Sequence, residues 1–167
     1  EGTLLGWNMG GGTAKSHYEN GIRNSMLQWG ITDNTAITAY INSTATPIAP
    51  GDFLNSPPLT DVPVLWGGTT EMQKEQITLQ KWLALYPEGV EAWADIRRSG
   101  ALKLYPVANS DNPDLPSTPA NPATNWIRRI PFINDEKVSN AEEVRKAEDN
   151  LLNGPEKITT PLWWDTH

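Results

Sequence analysis

Apolar residues recur at three- and four-residue intervals in five stretches of the chain, the period of one face of an α-helix. The first helix is expected from Thr13 as cap through Tyr18, Ile22, Met26 and Trp29 to a stop at Gly30. Gly21 interrupts it at a cost of about 1 kcal/mol relative to alanine, which predicts close approach of a neighbour at that position. A shorter helix is expected over Asp33–Asn42, with Ala36, Ile37, Tyr40 and Ile41 on one side. The third opens on a capping-box pattern, Thr70 with Gln73, carries Met72, Ile77, Leu79, Trp82, Leu83 and Tyr86, and ends at Pro87. The fourth covers Val90–Ser99, with Trp93, Ala94 and Ile96, and closes at Gly100. The last runs from Ser139, with Glu142 three residues on, through Val144, Ala147, Leu151 and Leu152 to Gly154 and Pro155. Only Val62–Trp66 and Trp126–Phe132 read as short extended pieces. The expected fold is therefore mainly α and loop-rich, with few short strands.

Between these helices the prolines cluster: five fall between Pro47 and Pro63 and five between Pro106 and Pro122. Loops this long are uncommon in compact domains unless they bind something or move, so both are candidate surfaces. Glu1–Trp7 reads as the tail of a helix with no cap before it. The expectation is a piece of a longer chain, with an uncovered apolar face near Leu4, Leu5 and Trp7.

Charge and composition narrow the function. Thirteen basic against 20 acidic residues give a net charge of −7 with no long block of either sign, which argues against a nucleic-acid footprint. No apolar run approaches the eighteen or so residues a membrane-spanning helix needs. The 167 residues contain no cysteine, so disulfides, thiolate metal sites and cysteine nucleophiles are excluded. Eight tryptophans concentrate the apolar area, and burial in the core is their expected fate. Trp29, Trp82 and Trp93, on apolar helical faces, are expected in the core above all.

The string from Gln80 to Pro106 combines Gln80, Lys81 and Trp82 with Tyr86, Pro87 and Gly89, then Glu91, Ala92 and Trp93, then Arg97, Arg98 and Gly100. With Tyr18, Gly21, Ile22, Ser25, Met26, Trp29 and Gly30 upstream, and Arg128, Arg129, Ile130 and Pro131 downstream, it resembles the SusD/RagB family of outer-membrane nutrient-binding lipoproteins. The final Leu162, Trp163, Trp164 and Asp165 are similar to that family's usual chain end, while Leu102 and Ile133 stand where such proteins often carry proline. The resemblance covers nearly the whole sequence. It implies that residues 1–167 are the C-terminal part of such a protein, lacking the lipid-attached cysteine and the tetratricopeptide-like N-terminal half. It also implies a surface lipoprotein of the outer membrane that captures oligosaccharides or similar nutrients for a SusC-like TonB-dependent transporter, without catalysis and without a cofactor.

A sugar binder needs flat aromatics that stack on the C–H face of a pyranose, and amide or charged groups for its hydroxyls. Trp66, beside Gly67 and Gly68, and Tyr105 and Trp126, flanking the second proline-rich loop, are the candidates for stacking. Asn109 and Asn125 in that loop are the candidates for hydrogen bonding. The pairs Arg97 with Arg98 and Arg128 with Arg129 read as structural ion-pair partners rather than anion clamps. A protein-interaction scaffold without ligand contact is the rival reading. A glycoside hydrolase ranks third: Glu91 and Asp95 place two acids on one helix face, a spacing any acidic helix offers. Neither histidine, His17 or His167, has the partners of a zinc site or a catalytic triad. Gly10, Gly11 and Gly12 lack the rest of a phosphate-binding loop.

Overall fold

The computed structural model describes residues 1–107, 109–115, 126–152 and 156–165, with the side chain of Leu151 excepted. The chain divides into two compact units, Glu1–Leu102 and Lys103–His167. The first holds helices α1 (Ala14–Gln28), α2 (Asn34–Ile41), α3 (Thr70–Ala84) and α4 (Gly89–Ser99), and the second holds α5 (Asn134–Ser139) and α6 (Ala141–Ala147). No strand occurs among the described residues, so Val62–Trp66 and Trp126–Phe132 are irregular rather than extended pieces of a sheet.

Helix α1 begins where its cap requires. The Thr13 hydroxyl accepts the Ser16 amide at 3.1 Å, and the Ser16 hydroxyl accepts the Thr13 amide at 2.8 Å, satisfying two of the helix's orphan donors. Its Tyr18 and Ile22 meet Ile37 and Ile41 of α2 in a core onto which Met26, Tyr40, Val64, Trp66 and Ile77 also pack. Ile37 is completely buried. Helix α3 starts one residue earlier than the capping pattern suggests: Thr69, not Thr70, is the cap, and its hydroxyl accepts the Met72 amide at 3.3 Å. It also stops at Ala84, because a residue before proline is disfavoured in helical geometry and Tyr86 precedes Pro87. Helix α4 ends at Gly100, whose φ of 59° is the left-handed geometry a glycine adopts without strain.

The loop preceding α3 is held from beneath by a buried amide. Gln76 donates from Nε2 to the carbonyls of Pro63 at 3.1 Å and Leu65 at 2.8 Å, and its Oε1 accepts the Gly67 amide at 3.4 Å. The Tyr18 hydroxyl donates to Val64 O at 2.7 Å in the same loop. Burial holds the Tyr18 phenol far above its ordinary pKa, so it stays a donor.

In the second unit the helix expected from Ser139 begins at Ala141 as α6, and α5, which the apolar spacing did not signal, precedes it. Asn140 separates the two with φ −131° and a side-chain amide turned back to Glu136 Oε1 at 2.6 Å, and the chain continues from α6 into a short π-helical turn, Glu148–Leu152. Leu115, Val144, Leu152 and Ile158 are among its buried apolar residues. Buried Arg128 pairs with Asp165, and Arg129, also buried, approaches Glu156 at 3.8 Å. Both arginine amides donate to Ile158 O, at 2.8 and 3.1 Å. These arginines therefore hold loop segments together, as the sequence reading expects.

Candidate ligand-binding groove

Two helices of the first unit end at the same place on its surface. Trp29 caps the C-terminus of α1, Trp82 and Leu83 occupy the last turn of α3, and Tyr86, Pro87 and Glu88 lead into Gly89 and Ala92 of α4. Together they line an open groove of about 660 Å³, within the usual size of small-molecule sites. Trp29 is 56% exposed, Tyr86 73% and Trp82 44%. Trp29 and Trp82 thus do not lie in the core. Their helical stripes outrun the partners that cover them: α2 shields α1 at Tyr18 and Ile22, and nothing among the described residues continues that cover to Trp29. Trp93 is half-buried beneath the Arg97 guanidinium, 3.7 Å from its ring.

The groove is almost wholly apolar. Among the described residues, Glu88 is its one carboxylate and no basic side chain lines it. It therefore suits a neutral ligand with an apolar face. Of the two acids considered for hydrolysis, Asp95 has other work. Asp95 is buried and accepts Lys81 Nζ at 2.6 Å and Arg98 Nη2 at 2.8 Å. Burial alone raises its pKa, but the hydrogen bonds from Lys81 and Arg98 outweigh that and hold it below the usual aspartate value. A general acid requires the opposite shift. Among the described residues no cluster of three metal-ligating side chains is present.

The residues expected to contact ligand are distributed over both units. Trp66, in the first, is half-buried, its ring centroid 5.0 Å from that of Tyr18. In the second, Tyr105 and Asn109 are exposed, and Trp126 is half-buried with the Arg128 guanidinium 5.2 Å from its ring. Asn125 lies outside the described residues. Sequence reasoning missed the trio Trp29, Trp82 and Tyr86, because apolar periodicity identifies a face without saying whether anything covers it.

Residues 1–165 match the family model described as SusD-like, the SusD and RagB outer-membrane lipoproteins. The chain belongs to the SusD/RagB family. A chitin-binding SusD homologue from Flavobacterium johnsoniae is 37% identical with a TM-score of 0.77, matching 99% of this chain and 34% of its own. A SusD homologue from Bacteroides ovatus is 36% identical, TM-score 0.82, with 99% of this chain and 35% of its own covered. One from Bacteroides thetaiotaomicron is 30% identical, TM-score 0.82, with coverage of 99% and 36%. The chain thus spans about a third of the length of these relatives. No curated protein matches.

Proposed function

We propose that this SusD/RagB chain is the C-terminal part of a surface lipoprotein of the outer membrane that captures glycans without cleaving them and passes them to a SusC-like TonB-dependent transporter. The observation that carries this reading is the outward presentation of Trp29, Trp82 and Tyr86 around one largely apolar groove in a member of this family. Indole and phenol faces stack on the C–H face of a pyranose, and their edges leave the ring hydroxyls to water or to neighbouring polar groups. The chitin-binding relative supports a polysaccharide as the ligand class. In the second unit, exposed Tyr105 and Asn109, with Trp126 and Asn125, are proposed as further contacts. A non-catalytic role is supported by the engagement of Asp95 with two cations, which leaves Glu91 without an acid partner on its helix face.

The rival is a scaffold whose apolar surface docks to protein, either the remaining portion of the molecule or the transporter, with no glycan contact here. The scarcity of polar groups in the groove favours it. Incubating the protein with a panel of polysaccharides, while following retention by affinity electrophoresis and release of reducing ends, separates the readings. Retardation without new reducing ends is expected. Release of reducing ends supports a hydrolase, and migration unaffected by any polysaccharide supports the scaffold.

A further inference from the structure

Beside the groove lies a second cavity, a cleft of about 330 Å³ between α1 and α3. Trp29 and Leu83 line both, so a ring resting on Trp29 has the cleft at its edge. We propose that this cleft receives the acetamido substituent of an N-acetylated amino sugar whose ring stacks on Trp29. The inference rests on the glycan-capture reading and names the sugar class that reading leaves open.

Gly21 is the first support. It sits in the interior of α1, where glycine costs about 1 kcal/mol relative to alanine. A Cβ built there meets nothing within 4 Å, so no packing among the described residues requires the missing side chain. Gly21 lines the cleft, so the space beside its Cα is open there.

The chemistry of the lining is the second. The ionisable groups of the cleft are already engaged: Lys81 with Asp95 at 2.6 Å, Glu1 with Arg98 at 2.7 Å, and the His17 ring with Gly11 O at 2.8 Å. A charged guest finds no counter-ion, whereas a neutral one finds the Ser25 hydroxyl and the Gln80 amide. The Tyr40 hydroxyl donates to Gln80 Oε1 at 3.1 Å, which leaves Gln80 Nε2 as a donor for a guest's carbonyl. Met26 and Ile77 offer apolar walls for a methyl group. An acetamido group presents that combination, a carbonyl acceptor, an N–H donor and a methyl, on one short substituent. A 2-hydroxyl presents neither the carbonyl nor the methyl.

Calorimetric titration with chitohexaose and cellohexaose tests this, because the two share a β-linked backbone and differ at the 2-position. The unaltered chain is expected to bind chitohexaose about tenfold more tightly, the scale at which a pocket discriminates a small substituent. Gly21→Leu fills the opening at a position with room for a side chain and is expected to bring the two affinities within about twofold, with helical circular dichroism unchanged. Gln80→Met, which keeps the shape and removes the donor, is expected to erode the same preference. Equal affinities in the unaltered chain, or a preference that survives Gly21→Leu, overturn the acetamido assignment while leaving glycan capture standing. Binding of neither sugar overturns the acetamido assignment, while glycan capture itself falls only if no polysaccharide of the panel retards the protein.

Discussion

The rings of Trp29 and Tyr86 lie 6.2 Å apart, centroid to centroid, with their planes tilted by 42°. They come from the ends of different helices and face water, an arrangement that core packing does not produce and that a sugar chain crossing both can use. Replacing either by alanine is expected to weaken oligosaccharide binding about fivefold, since stacking on one aromatic contributes on the order of 1 kcal/mol. Both side chains are largely exposed, so the thermal midpoint should move by only a degree or two. Calorimetry together with thermal denaturation of Trp29→Ala and Tyr86→Ala checks both halves. A large loss of stability would assign these rings a structural task instead.

Gln76 performs in the fold what a strand partner performs in a sheet. Its amide engages three backbone groups of the loop from Pro63 to Gly67, and Gln76→Leu leaves two carbonyls and an amide of that loop without it. A loss of about 1–3 kcal/mol is expected from the unsatisfied groups. Urea denaturation should show it, and a neutral result would mean that water replaces the amide at no cost.

Acid should weaken the first unit through Asp95. Its pKa in the folded protein is depressed by Lys81 and Arg98, so its stabilising contribution is complete above the ordinary aspartate value near 3.9 and is lost as pH falls through the lower folded value. The thermal midpoint is expected to drop more steeply below about pH 4 in the unaltered chain than in Asp95→Asn. Parallel curves would remove the Asp95 pairs from the account.

Ile37 gauges the core of the same unit. It is fully buried among Tyr18, Ile22 and Ile41, and truncation to alanine removes three carbons and leaves a cavity. The expected cost is about 2–5 kcal/mol by chemical denaturation. A cost under about 1 kcal/mol would indicate that α1 and α2 collapse around the gap.

Much of this architecture was legible beforehand where the signal is local. Thr13 announced the start of α1, Gly100 the end of α4, and the apolar spacing of Tyr18, Ile22, Ile37 and Ile41 the core they form. Helix α5 was not, because none of its residues is buried and so no apolar spacing marks Asn134–Ser139. Gln76 escaped notice for a related reason: a buried amide serving loop carbonyls carries no pattern in sequence. The exposure of Trp29 and Trp82 was hidden most completely. An apolar stripe states a preference for cover, and only the three-dimensional arrangement reveals where cover ends. Gly21 shows the converse: its presence in a helix signalled close approach, yet no group among the described residues fills the space beside it.

The most direct test of outward aromatic capture is to follow the indole N–H resonances of all eight tryptophans while titrating chitohexaose into the labelled protein. Saturable shifts are expected at Trp29 and Trp82, with Trp93 unmoved. Indoles of the groove that remain still at saturating sugar, whether or not those of other tryptophans respond, would contradict the assignment of this groove as the place where glycan is held.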